Sequence, residues 1–599
     1  MTVPRSWRDS KKIRHCRPRP ATDAPFAIPD SKVGQLDTLL HHSGVLGLID
    51  TELAGRPGPG GLPVRTVLVG LLLSLHYHQS ATLADACRVL LDELTPTARA
   101  WLAVTDIDRH DLHARLAFSR RVYRSFNRLT SALDPYRCDR RRRLPADEAA
   151  AHAAAWEDED AEHLRRRRLL QEISDRLVLV TVRLAHRRGL FKGWKGDIGI
   201  DTTPVPAWHH EPKTHKHLAS VEITAGWHYC GGATEGIFGH SATLLVAGSR
   251  RHPAGHPRAG QRVSEHPQLA LGLVLDTPGK RIGPNAIHAL GVLAPFGFPA
   301  GVLAVDRAYT DQTTPHFAEP ARRLGYRLVL DYKQNQRGVQ GSAPSGALLV
   351  DGSLACPAIP ARFAHATTGL DDGAVRAMDD QLAELIARRQ PFFLKTKQAA
   401  DARGTVRLQC PAAGPSPSVN CPRFHHVHGT TGAQPKAVDL TNLRATAAHS
   451  AAKTAVPIPT AERLRPPPKN ELPRICQKPT ITLHPGGLGP HDKFRQDFPY
   501  LGPAWHDTYK PIRANNEGLN GRAKSHRIDI GDPKKRLAHG RAAQTILVAL
   551  MVCTLNLQIL HDWHLTSGTP PTPETDLSGV KHDGHLTPPA HTSTGIPPP

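Results

Sequence analysis

The chain has no long uninterrupted hydrophobic run. Thr66–Leu75 is apolar but too short to cross a bilayer, and Ala289–Val305 is broken by Pro295 and Pro299, so no transmembrane helix and no membrane partner are expected. The first twenty residues are basic and lack the apolar core of a secretory signal. Cysteine is sparse: nine residues, an odd number, scattered from Cys16 to Cys553. That pattern fits reduced thiols in a cytosol and excludes a disulfide framework. No Gly-rich loop of the G-x4-G-K-[ST] type occurs, which leaves ATP use without support, and no repeat of fixed period is found.

What is present is basic. Lys and Arg number 76 against 54 Asp and Glu, a formal charge of +22. Such an excess points to a polyanionic partner, nucleic acid first, with genomic base-composition bias as the competing explanation. Apolar residues at 39% exclude a wholly disordered chain, and 599 residues predict two to four domains. The 49 glycines and 53 prolines predict long irregular stretches.

Along the chain, residues 1–30 read as a basic flexible arm and 31–138 as a helical region. In its last helix Val122, Phe126, Leu129 and Leu133 form an apolar stripe, with Arg120, Arg121, Arg124 and Arg128 on the opposite side. An arginine face of this kind suits phosphate binding, and a solvated basic face is the alternative. Residues 139–170 are block-charged and read as an exposed helical linker. Short β-branched runs at Gly196–Thr203, Ser220–Trp227, Ser241–Ala247, Gly301–Val305 and Tyr326–Leu330 predict strands, with a helix over Thr314–Leu324. Residues 171–335 are therefore expected to form an α/β sheet with an antiparallel start. Residues 336–500 are rich in Pro, Gly, Ser and Thr. Helical pattern returns at Ile512–Lys524 and Ala542–Leu560, within 501–565, and 566–599 reads as a disordered Thr/Pro-rich tail.

Three acidic residues stand out. Asp201 and Asp306 each close an apolar strand, and a carboxylate there faces the crevice where open α/β sheets bind ligands. Glu517 lies on a helix with Arg513, Asn520 and Lys524 on the same face. Three such carboxylates can hold two Mg²⁺ ions, although strand-end aspartates are often only solvated turn residues. Gly518 and Gly521 each cost about 1 kcal/mol in a helix, which close approach of another backbone or of DNA would explain. Pro511 suits a first helical turn. Asp197, Asp311 and Asp331 are the competing acids.

The segments IDTTPVPAW and VLAVDRAYTD, with Tyr509, Arg513, Glu517 and Lys524, together resemble the DDE transposases of bacterial insertion sequences. The likeness is to those whose third acid lies in a Tyr–Arg–Glu–Lys helix signature. Arg-x3-Glu-x6-Lys keeps that spacing, whereas Tyr509 is separated from Arg513 by three residues instead of two. The resemblance implies a ribonuclease H-like core, interrupted before the Glu by an insertion domain at 336–500 and preceded by an all-helical DNA-binding region. It implies two Mg²⁺ (or Mn²⁺) ions on Asp201, Asp306 and Glu517, with Arg513, Asn520 and Lys524 on DNA. The partners it implies are double-stranded DNA, as terminal inverted repeats and target, and a second copy of the chain. The setting is the bacterial cytoplasm, at the nucleoid. A nuclease without strand transfer and a non-catalytic, decayed or domesticated relative are the alternatives.

Weaker constellations remain. Cys356, Cys410, Cys421 and Cys476 are the four cysteines of 336–500 and offer thiolates for a structural Zn²⁺, yet no C-x2–4-C pair supplies the usual knuckle spacing. The histidines at 209, 210, 215 and 217 and at 425, 426 and 428 read as solvated loops.

Overall fold

A computed structural model describes residues 27–56, 61–105, 107–138, 143–156, 160–210, 217–229, 236–250, 265–429, 455–458, 467–524 and 528–566. The tail and most of the basic arm fall outside these residues. The last part of that arm is ordered: Ile28 is fully buried and its N–H donates to the Glu93 carbonyl at 2.8 Å.

The central sheet explains why the middle of the chain is rich in β-branched residues. It contains β1 (Ile198–Pro206), β2 (Gly226–His228), β3 (Ile237–Ala247), β4 (Ala270–Asp276), β5 (Val302–Val305) and β6 (Arg327–Leu330). The strand order is β2-β3-β1-β5-β6, with β4 also on β3. β3 runs antiparallel to β1, β2 and β4, while β5 and β6 run parallel to β1. The expected α/β sheet with an antiparallel start is therefore present. Helix Ile282–Gly291 makes the crossover between β4 and β5.

Two strand expectations are corrected. Only Gly226–His228 of the Ser220–Trp227 run is a strand, because Glu222 is drawn out of register to accept the Gly540 N–H at 3.0 Å. β4 is an addition to the expected strands: all seven of its residues are buried, so it lacks the alternation that marks a half-exposed strand.

Helices cover the sheet. Ala161–Arg187 and Arg541–Thr566 pack on each other and on β4. Asn556, fully buried, closes the β4 edge by exchanging two hydrogen bonds with the backbone of Ala270, at 2.8 and 2.9 Å. The charged linker is corrected in the same region: its second half is the first part of the Ala161–Arg187 helix, with Arg166 buried. The helices between Asp30 and Leu133 join the same continuous core, which runs from Ile28 to Leu560. Helix Arg541–Leu565 is long and apolar enough to span a membrane by composition, against the sequence expectation, and 94% of its apolar window is buried inside the protein.

Residues between Ala343 and Leu488 form a second hydrophobic cluster. It is built from short strands: β7 (Val339–Ser342), β8 (Leu348–Val350), β9 (Ser353–Ala355), β10 (Lys395–Gln398), β11 (Val406–Gln409), β12 (Val419–Asn420), β13 (Val456–Pro457) and β14 (Thr480–Leu483). The chain leaves the sheet after β6 and returns to the same strand. Asp497 exchanges hydrogen bonds with Leu328 at 2.8 and 3.0 Å, and the Gln496 side chain accepts the Leu330 N–H at 3.1 Å. Trp505 then donates to the Leu330 carbonyl at 2.9 Å, which fixes the start of helix Pro503–Ala523 beside the sheet.

That helix begins well before the predicted Ile512. Pro511 therefore sits inside it and is buried, not in its first turn, because Trp505, Thr508 and Ile512 form one packed face that carries the helix past the missing N–H.

Candidate active site

The last matched pair between β1 and β5 is Ile200 with Val305, and Asp201 and Asp306 come next on their strands. On β6 the partner of Val305 is Leu330, followed by Asp331. Three aspartates thus stand side by side where parallel pairing ends. Asp201 does not close its strand, since β1 continues along β3 to Pro206.

Helix Pro503–Ala523 lies over β1 at close range. Gly199 permits this: a Cβ there would stand 2.1 Å from the Asn516 Oδ1. Asn516 is fully buried, and the neighbouring Asn515 accepts the Ser249 N–H at 2.7 Å, so the helix is tied to β1 and to the segment that follows β3. One turn to either side of Asn516–Glu517, two side chains reach Asp201. Asn520 Nδ2 donates to its Oδ2 at 3.1 Å, and Arg513 Nη1 stands 3.5 Å from its Oδ1.

Electrostatics set Asp306 apart. Its carboxylate accepts the Ala308 N–H at 3.0 Å and caps the short helix Arg307–Thr310. Burial, and then the negative charge of Asp201, raise its pKa above the ordinary aspartate value, while Arg513 and the Ala308 N–H pull it back. Burial works against the Arg513 charge, but Asp201, Tyr509 and Asp306 outweigh it and raise its pKa. Tyr309 is buried beneath the site with its hydroxyl unpartnered among the described residues; burial, Asp306 and Asp201 hold that hydroxyl protonated. Asn520 Oδ1 is a second buried atom without a partner among the described residues.

The competing acids are held by other partners. Asp197, at the opposite end of β1, pairs with Arg250 at 2.6 and 2.7 Å and accepts the Val302 N–H. Asp311 pairs with Lys333, and Asp331 accepts from Arg307 at 2.8 Å and from the Tyr500 hydroxyl at 2.7 Å.

Glu517 is exposed, on the helix face adjoining Arg513 and Asn520. Among the described residues, no three His, Cys, Asp or Glu side chains lie at the spacing of a shared metal ion, so Glu517 is not gathered with the two aspartates in this arrangement. Lys524 is exposed just past the helix end. Gly518 and Gly521 face open space, with nothing within 4 Å of a Cβ at either. No other backbone among the described residues explains them.

No family model, curated protein or solved structure matches the chain.

Sequence reasoning missed His228. It sits on β2 near Lys524 and Asp201: burial and Lys524 lower its pKa, and Asp201 opposes them. No spacing rule would have linked it to the site. Tyr509, despite its shifted position, stacks on Trp505 with ring centres 4.5 Å apart. Burial and then the Asp331 charge raise its pKa, with Arg513 opposing. Three intervening residues keep it on the face of Arg513, one turn away.

Of the arginine face on helix Leu112–Leu133, Arg120 and Arg124 are exposed and Arg121 is half-buried. Arg128 instead donates to the carbonyls of Leu53 and Arg56, at 3.1 and 3.0 Å.

Proposed function

We propose that this protein is a DDE transposase of an insertion sequence, which cleaves the ends of its element and transfers the freed 3′-OH to target DNA. The observation that carries the reading is the adjacency of Asp201 and Asp306 on parallel strands beneath the helix bearing Arg513, Glu517 and Lys524. The sheet supports a ribonuclease H-like core: three antiparallel strands, β4-β3-β1, are followed by two strands parallel to β1. The excursion of residues 336–500, which leaves and rejoins β6, supports the reading of an insertion domain.

The residues fit a hard divalent cation. Two carboxylates on adjacent strands offer oxygen donors with Arg513 as the nearby counter-charge, and burial first, then the Asp201 charge, raises the pKa of Asp306. Asp201 and Asp306, with Glu517 as third ligand, would hold two Mg²⁺ or Mn²⁺ ions, which would supply an activated oxygen nucleophile and charge neutralisation at the phosphodiester. Asn520 orients Asp201 by its 3.1 Å hydrogen bond. Arg513 and Lys524 offer cationic groups to the phosphate undergoing attack. Gly518 and Gly521 leave the outer helix face low enough for a DNA backbone to approach Glu517. Arg120, Arg121 and Arg124 add sequence-independent phosphate contacts. Joining two element ends calls for at least two copies of the chain on DNA.

The test mixes purified protein with Mg²⁺ and DNA carrying the inverted repeats that flank its gene, with Asp306→Ala as control. Strand joining that requires Asp306 is the expected result. Cleavage without joining would reassign the protein to a nuclease, and binding without either reaction would remove the enzymatic reading.

A further inference from the structure

Four cysteines far apart in sequence converge in the second hydrophobic cluster. Cys356, Cys410, Cys421 and Cys476 are all buried, and none is in a disulfide. Backbone links bring them together. Cys356 follows β9 and its N–H donates to Phe392 O at 2.8 Å; next to it, Pro391 O accepts the Ser418 hydroxyl at 2.7 Å, three residues before Cys421. Cys410 follows β11, and its N–H donates to Pro479 O at 2.8 Å, three residues past Cys476. Cys356 interacts with the Cys421 and Cys410 sulfurs, and Cys410 with those of Cys421 and Cys476.

Cys356, Cys410 and Cys421 each precede a proline. Backbone amides of the turns that follow, at Ala358, Ala412, Ala413, Arg423 and Phe424, favour the charged form of the three sulfurs. Burial holds the Cys356 and Cys410 thiols protonated as they stand, and a bound cation is what would let four buried sulfurs carry charge. Lys395 beside Cys410 and Arg423 beside Cys421 supply further positive charge around the cluster.

We propose that Cys356, Cys410, Cys421 and Cys476 bind one structural Zn²⁺ ion that closes the 343–488 cluster. The sulfurs are not at ligand spacing in this arrangement, as for every other triad among the described residues. Zn–S bonds of about 2.3 Å would require the four side chains to turn inward. The usual short C-x2–4-C pairs are replaced by single cysteines from four separate segments, three of them in Cys-Pro turns. The inference is independent of any transposition activity.

The experiment uses the untagged full-length protein, purified under reducing conditions from zinc-replete cells, with metal measured by mass spectrometry. One zinc per chain is expected, falling to none in Cys421→Ser and Cys356→Ser and unchanged in Cys553→Ser, whose cysteine lies on the C-terminal helix. Should the serine variants aggregate, the wild-type chain loaded with Co²⁺ decides: intense tetrahedral d–d bands and thiolate charge-transfer absorption are expected. Three results would overturn the proposal: zinc well below one per chain, octahedral Co²⁺ spectra, or a Cys356–Cys421 disulfide in the reduced preparation.

Discussion

Asp201 and Asp306 follow directly on Ile200 and Val305, the last facing pair of two parallel strands, so two carboxylates are held side by side with the Arg513 guanidinium beside them. The chain maintains this pairing of like charges at an energetic cost. A protein under selection for stability alone would have put an amide or an apolar side chain at one of these positions.

Stability should therefore change with pH in a predictable sense. The folded pKa of Asp306 is raised, so the folded state holds that proton more tightly than the unfolded chain does. Its contribution to stability is largest below the ordinary aspartate pKa and is lost as pH rises through the folded value. Asp306→Asn should raise the thermal midpoint at pH 7, with the gain shrinking in acid. Differential scanning calorimetry across pH 4–7 checks this, and a lowered midpoint at neutral pH would contradict it.

The helix over β1 rests on one missing methyl group. Gly199→Ala would push a Cβ to 2.1 Å from Asn516 Oδ1. Overpacking of this kind costs about 1–3 kcal/mol. Asn516→Ala in the same chain should recover much of that loss, because the clash is with that side chain. A double-mutant cycle by urea denaturation measures the coupling; additive losses would mean that the two residues do not press on each other.

Gly518 and Gly521 should behave in the opposite way. Among the described residues nothing lies within 4 Å of a Cβ at either position, so Gly518→Ala should stabilise the free protein by up to about 1 kcal/mol through helix propensity. If DNA approaches this face, Gly521→Leu should weaken cleavage without lowering stability. Parallel denaturation and cleavage assays separate the two effects, and an unchanged cleavage rate would place DNA elsewhere.

Much of this site is legible in the sequence, because its residues report on local structure. Asp201 and Asp306 end hydrophobic runs, and the Arg513–Glu517–Asn520–Lys524 spacing marks one helix face. What is not legible is long-range. The clasp between Gly199 and Asn516 joins residues with no common pattern, and His228 reaches the site from a three-residue strand. β4 is hidden because burial on both faces removes the alternation that identifies a strand. Pro511 misleads because its usual place at a helix start is overridden by the packing of Trp505 and Ile512.

On the arginine helix, Arg120→Glu, Arg121→Glu and Arg124→Glu should weaken DNA binding without regard to sequence. The slope of log K against log salt should become shallower by about 0.9 for each phosphate that is no longer neutralised. Arg128→Ala should chiefly destabilise the protein, because its guanidinium holds the Leu53 and Arg56 carbonyls. Salt-titrated fluorescence anisotropy and thermal melts distinguish the two roles. Equal effects on binding from all four residues would contradict the division.

The most direct measurement of the central claim is Mg²⁺-dependent joining of a pre-cleaved 3′-OH end to target DNA by three variants. Asp306→Asn and Glu517→Gln should each lower the joining rate by at least about 100-fold while still binding DNA. Asp331→Asn, whose carboxylate is held by Arg307 and Tyr500, should retain joining within about tenfold. Joining that survives Glu517→Gln but is lost in Asp331→Asn would move the third ligand to β6 and contradict the site described above.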